Sequence, residues 1–243
     1  MRLDKFIANN TAFSRKEAKR AAKNGEVIVN GQPVKDLSQS LPANAQVSVF
    51  GQAVLAIEDQ YLMFYKPLDV VCSTDDGYHA TVINVLTEAA LAAGDEPLLA
   101  ALDADINLQV VGRLDIDTTG LLLITSDGQW NHRVTSPNHS CGKTYRVTIA
   151  EPLTETAKTQ LEQGVLLDDS VKPTKPAEVT IIDEQHILLT LFEGRYHQVK
   201  RMLAAVGNAV VGLHRERIGE LHLGEDLQPG DYRTLTAHEI ASF

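Results

Sequence analysis

The stretch Gly112-Arg113-Leu114-Asp115-Ile116-Asp117-Thr118-Thr119-Gly120-Leu121-Leu122-Leu123-Ile124-Thr125-Ser126-Asp127-Gly128 carries the densest chemistry in the chain. A glycine, an arginine and two acids stand directly ahead of Leu121 to Thr125, whose apolar run predicts a buried strand. Carboxylates in that position are held at the rim of a rigid core element, which a catalytic site requires. The same residues also suit an Asp-rich turn closed by side-chain hydrogen bonds to its own backbone. Residue type and spacing leave both readings open.

Outward from this stretch, short β-rich runs recur at Leu62 to Tyr65, Thr144 to Ile149, Val179 to Ile182 and His186 to Phe192, with a few helical stretches between them. No strand-helix-strand alternation is present, so the pattern predicts an α+β architecture and excludes a doubly wound sheet. The nucleotide-binding loops are missing too. No two glycines stand two apart, and Gly207 to Gly212, a G-x-x-x-x-G run, is followed by Leu213 where a phosphate loop needs Lys.

Towards the amino terminus, Leu3, Phe6 and Ile7 fall at helical spacing, and Ser14 with Glu17 forms an S-x-x-E capping box that opens a second helix ending near Lys23. Ala18, Ala21 and Ala22 give that helix a small apolar stripe. Arg15, Lys16, Lys19, Arg20 and Lys23 line its other side. Val27-Ile28-Val29, a turn at Asn30-Gly31, Val34 and Val47-Ser48-Val49 read as short strands. This gives a small domain over 1–50, an aperiodic linker over 51–60 and a larger domain over 61–243.

The chain has 22 Lys and Arg against 32 Asp and Glu, a net charge of −10, which taken alone argues against a polyanionic partner. The charge is unevenly distributed. Residues 1–35 carry a net of +5, residues 193–217 a net of +3, and residues 75–107 hold seven acids with no Lys or Arg. Contact with a polyanion is therefore expected only at the two basic stretches, and to be steeply salt-dependent. No uninterrupted apolar run exceeds five residues, far short of the roughly twenty of a membrane helix, so no membrane association and a cytoplasmic location are expected. Two cysteines, Cys72 and Cys141, neither build a disulfide framework nor form a C-x-x-C pair.

Several motifs carry a resemblance. Arg2-Leu3-Asp4-Lys5-Phe6-Ile7, Ser14-Arg15 with Ala18 and Ala22, and the Gly25 to Gly31 hairpin resemble the alpha-L RNA-binding module first known from the fourth ribosomal protein of the small subunit. Gly112-Arg113-Leu114-Asp115-x-Asp117-Thr118-Thr119-Gly120-Leu121-Leu122 resembles the signature of pseudouridine synthases of the RsuA type. Lys143-Thr144-Tyr145 and Glu193-Gly194-Arg195-Tyr196-His197-Gln198-Val199-Lys200-Arg201-Met202 resemble two further segments of that family, in the family's order. Agreement extends to Tyr65-Lys66-Pro67, Cys72 to Asp76, Asp127 to Trp130 and His214 to Gly219. Asp69 stands where the family's K-P-x-G has Gly, and 88–109 reads as an acidic insertion.

The resemblance implies an alpha-L module followed by a synthase domain on a mixed, largely antiparallel sheet with flanking helices. It implies that Asp115 is the catalytic carboxylate, that Tyr145 packs on a flipped-out target base and that Lys200 pairs with Asp115. The substrate implied is 16S ribosomal RNA or a small-subunit assembly intermediate, modified by a monomer without any metal or nucleotide cofactor. Candidate RNA contacts are Arg2, Arg15, Lys16, Lys19, Arg20, Lys23, Arg113, Arg195 and Arg201. Arg113 would touch phosphate or fill the space of the flipped base, or else pair with Asp117.

The pairing has a chemical purpose. A carboxylate that attacks a ribose carbon or removes a ribose proton must be ionised, and an adjacent ammonium favours that form. His132, His139 and Cys141 lack a fourth partner for zinc, and Ser140-x-x-Lys143 lacks the motifs of a serine acyltransferase. Two other readings stand beside the first: a sister synthase acting on large-subunit rRNA, against which Cys72 to Asp76 and Asp127 to Trp130 lean, and a non-catalytic RNA-binding assembly factor.

Overall fold

The computed structural model describes residues 2–42, 44–55, 58–73, 77–103, 108–136 and 141–243. Thr74, Asp75 and Asp76 of the Cys72 to Asp76 motif, together with His139 and Ser140, lie outside the described residues. The chain forms two compact units, residues 1–59 with 90–108, and residues 60–89 with 109–243.

In the first unit, α1 (Leu3–Asn9) and α2 (Arg15–Lys23) pack on a sheet of β1 (Val27–Val29), β2 (Gln32–Pro33), β3 (Val47–Val49) and β4 (Gln52–Val54), ordered β2-β1-β3-β4. Ser14 accepts from the Glu17 amide while the Glu17 carboxylate receives the Ser14 amide, so two orphan donors of α2 are satisfied reciprocally. Leu3, Ile7, Ala18, Ala22 and Val27 are buried at 1% exposure or less, so the small side chains of α2 let it approach the sheet closely. Asn30 and Gly31 both have positive φ, as the two-residue hairpin turn demands. The segment 51–60, expected as linker, instead begins with a strand. Phe50 and Gly51 form a second positive-φ turn that folds Gln52–Val54 back on β3, with Val54 buried.

Seven strands form the spine of the second unit: β5 (Tyr61–Lys66), β9 (Thr119–Thr125), β10 (Lys143–Ile149), β11 (Glu178–Ile181), β12 (His186–Leu191), β13 (Val210–Ile218) and β15 (Tyr232–Thr234). Their order across the sheet is β11-β12-β10-β13-β9-β5-β15. β8 (Gln109–Val111) also pairs with β9, β14 (Leu221–His222) with β13, and β6 (Val70–Val71) with β7 (Ala80–Thr81). The sheet is mixed and largely antiparallel, as expected, with β9 and β13 running parallel at its centre. Helices α5 (Gly128–Thr135), α6 (Glu155–Gln163), α7 (Gln198–Ala205) and α8 (Ala237–Ala241) flank it. Of the two preceding helices, α3 (Val82–Ala93) crosses the division between units and α4 (Glu96–Asp103) lies in the first, where the acidic insertion was expected.

Leu62, Met63, Phe64 and Leu121 to Ile124 are buried at 1% or less on both faces of β5 and β9, each contributing about 1.5–3 kcal/mol of hydrophobic stabilisation. That rigid pair carries the turn of Asp115 at one end. At the other, Asp127 caps α5 through the Gln129 amide, and Trp130 donates its indole N–H to Ile240 O at 2.9 Å. The Asp127 to Trp130 motif therefore anchors the carboxy terminus.

Candidate active site

Gly112 to Thr118 connects β8 to β9, and its backbone turns where the Thr118 amide donates to Asp115 O at 3.0 Å. A buried lysine secures this turn from below. Lys66, at 0% exposure, donates to the carbonyls of Pro67 (2.9 Å), Ile116 (3.3 Å) and Thr118 (2.8 Å). Burial pushes its pKa down, while three carbonyl acceptors suit the three N–H bonds of an ammonium. The amide of Asp69 donates to Ile116 O at 3.0 Å, and Asp69 has φ +60. The position thus asks for the left-handed conformation that glycine supplies freely and Asp tolerates better than most residues. Cys72 accepts from the Leu114 amide at 3.4 Å, and burial raises its thiol pKa, which leaves it a structural residue of the turn.

Opposite the turn, the segment Glu193 to Gln198 leads into α7. Gln198 holds its shape, taking the Arg195 amide at 2.8 Å and donating to Glu193 at 2.9 Å. His197 sits at φ +47, with its ring stacked on Tyr196 at 3.8 Å and Nε2 3.5 Å from Asp115 Oδ1. Lys200, one turn into α7, places Nζ 3.6 Å from Asp115 Oδ2.

Lys200 is also claimed by a second carboxylate. Its Nζ lies 2.6 and 2.8 Å from the two oxygens of Asp117, whose pKa is lowered by that hydrogen bond. The expected pairing of Lys200 with Asp115 is thus the longer of its two approaches, because Asp117 follows two residues later on the same turn and reaches the same ammonium. Asp117 takes Lys200 in place of Arg113, its candidate partner from sequence; Arg113 remains exposed at the cavity edge.

Arg113, Asp115, His197 and Lys200 line a cavity of about 560 Å³ that also includes Tyr145, Arg215 and Lys143, all belonging to the second unit. Tyr145 on β10 is half-buried and lies across from Arg215 of β13, whose guanidinium carbon is 6.0 Å from the ring centroid. The volume suits a single nucleotide base with part of its sugar. Among the described residues no group of three or more metal-binding side chains occurs.

The other expected RNA contacts divide into two sets. Arg15, Lys16, Lys19, Arg20 and Lys23 are all exposed along α2. Arg2 is instead forked onto buried Asp4 at 2.8 and 3.1 Å. Arg195 pairs with Glu193 at 3.2 Å and donates to the carbonyls of Lys172 and Pro173, and Arg201 bonds Asp168 at 2.7 Å and also Asp169. Arg215 is buried at 1% exposure. The +3 of residues 193–217 is therefore largely consumed inside the protein and does not form an open basic face.

The family model of RNA pseudouridylate synthases matches residues 60–205, and that of the S4 domain matches residues 1–47. The chain belongs to the RNA pseudouridylate synthase family. Members called ribosomal small subunit pseudouridine synthase A from Vibrio cholerae and Pasteurella multocida are 46% and 45% identical to it, covering 100% of this chain and 99% of each relative. A crystal structure of a pseudouridylate synthase superposes with a TM-score of 0.68 at 44% identity, covering 100% of this chain and 99% of the other. This synthase is thus an RNA-modifying isomerase with an S4 domain ahead of its synthase domain. Among the described residues, no helix of it is long and apolar enough to cross a membrane. Sequence reasoning does not single out Lys66, Gln198 or Arg215 as functional. The signal for each is a cation or amide inside a motif, without any sign of what it would face.

Proposed function

We propose that this synthase isomerises one uridine of 16S ribosomal RNA, free or in a small-subunit assembly intermediate, with Asp115 as the catalytic carboxylate. It works in the cytoplasm, as a monomer and without a nucleotide cofactor. The observation that carries the reading is the position of Asp115: on a turn braced by Lys66, with Lys200 and His197 within 3.6 Å, at a cavity that also holds Tyr145.

The reaction breaks the bond from ribose C1′ to N1 of uracil, turns the ring, and joins C1′ to C5 with loss of the C5 proton. No group or electron is imported. Asp115 serves by attacking C1′ or by removing a neighbouring ribose proton, and the ammonium of Lys200, 3.6 Å away, orients the carboxylate for either role. The target base leaves its stack at a cost of a few kcal/mol, offset in part by packing on Tyr145. The exposed cations of α2 supply phosphate contacts, and Arg113 meets the backbone or the gap left by the base.

Incubation with unmodified small-subunit rRNA, free and partly assembled, followed by chemical mapping of pseudouridine, tests the reading. A single modified site is expected with the native protein and none with Asp115→Asn. Full turnover by Asp115→Asn would remove the central assignment.

A further inference from the structure

Two buried side-chain atoms among the described residues lack a hydrogen-bond partner, Arg215 Nη2 and Thr118 Oγ1, and both belong to residues lining the active-site cavity. Arg215 is 1% exposed, and Nε, which donates to Leu121 O at 2.8 Å, is its only hydrogen-bonded guanidinium nitrogen among the described residues. No carboxylate pairs with it there. A buried guanidinium without a counter-charge is strongly disfavoured unless a bound group meets it. Gly120 makes the arrangement possible. A Cβ there would stand 2.3 Å from Arg215 O, so only glycine lets β9 pair this closely with β13 at Arg215.

We propose that Arg215, assisted by the Thr118 hydroxyl, is the polar end of the base subsite and donates to a ring carbonyl of the uracil. The idea rests on the functional reading above and deepens it. When the C1′–N1 bond breaks, its electron pair passes to N1 and spreads onto the ring carbonyl oxygens. The ring is then a uracil anion until C5 supplies a pair for the new C1′–C5 bond and releases its proton. A fixed cation beside that carbonyl is worth most while the charge is present, because it needs no reorganisation at that moment. Tyr145, facing Arg215 across β10 and β13, holds the ring face while Arg215 takes its edge. Lys143 also lines the cavity, a further cation beside Arg215 in its wall.

The test compares Arg215→Lys and Thr118→Val with the native protein on small-subunit rRNA made with uridine or with 5-fluorouridine, reading single-turnover consumption of the target nucleoside. Fluorine makes the ring a better leaving anion that needs less stabilisation. On uridine, Arg215→Lys is expected to slow the reaction on the order of 10²-fold and Thr118→Val roughly tenfold, with KM nearly unchanged. On 5-fluorouridine both losses should shrink several-fold. Equal losses on the two substrates, or none, would overturn the proposal, since a purely structural defect does not distinguish leaving groups. If Arg215→Lys lacks a cooperative melt, Thr118→Val decides by the same comparison. A native protein that converts no uridine in any small-subunit RNA would overturn the functional reading, and this inference with it.

Discussion

Lys200 Nζ stands 2.6 Å from Asp117 and 3.6 Å from Asp115, so one ammonium serves two carboxylates on a single turn. The two acids then differ in consequence. Asp117 is mostly exposed and engaged directly by Lys200, whereas Asp115 faces the cavity and His197. Asp117→Asn should lower kcat by less than about tenfold, since the displaced ammonium can turn to Asp115. Lys200→Met should lower it about 10²-fold or more by removing the cation that stands 3.6 Å from Asp115 and fixes the electrostatics of the turn. Single-turnover rates on one RNA separate the two cases.

Lys66 is expected to be a residue of stability as much as of activity. Lys66→Met leaves three carbonyls near the Asp115 turn without their donor, at about 1–3 kcal/mol for each that water cannot reach. Urea denaturation should therefore show a loss of at least about 3 kcal/mol, together with a fall in kcat as the turn loosens.

Two glycines flanking the Asp115 turn should respond very differently to alanine. Both have positive φ, +68 at Gly112 and +110 at Gly120, but a Cβ at Gly112 meets open space while one at Gly120 meets the Arg215 backbone. Gly112→Ala should cost about 1–2 kcal/mol from conformation alone. Gly120→Ala should cost about 4 kcal/mol or more, because the parallel pair β9–β13 must separate. The midpoints of denaturant unfolding measure the difference.

RNA affinity should depend on salt through α2. Replacing Arg15, Lys16, Lys19, Arg20 or Lys23 by Ala should reduce the slope of log K against log salt by about 0.7–0.9 for each phosphate that the side chain no longer neutralises. Arg201→Ala should leave that slope nearly unchanged, since Arg201 is already held by Asp168 and Asp169. Filter binding over a salt series distinguishes them.

At the carboxy terminus, Arg233 forks onto Glu239 at 2.7 and 2.9 Å, which with the Thr236 amide and hydroxyl lowers the Glu239 carboxyl to about 2. A depressed carboxylate pKa contributes stability that is complete above the ordinary value of 4.5 and is lost as pH falls towards about 2. Glu239→Gln should therefore be less stable than the native protein at pH 6, and the gap should narrow steadily below pH 4.5. Thermal melts across that range provide the check.

Elements whose cause is local are legible from residue types alone. The Ser14–Glu17 box, the Asn30-Gly31 turn and the apolar run of β9 each declare themselves within a few residues, and motif order along the chain is enough to indicate the family. β13 is the instructive exception. His214, Arg215, Glu216 and Arg217 give it no strand-like alternation, yet it is the central strand, its polar side chains bonded to Thr119, Leu121, Arg146 and Thr144 on its neighbours. Likewise the charge count over 193–217 cannot reveal that Arg195 and Arg201 bond within the protein, that Lys200 is divided between Asp115 and Asp117, or that Arg215 is buried with an unpartnered nitrogen. Each of these depends on partners far away in the chain, and only packing brings them within hydrogen-bond distance.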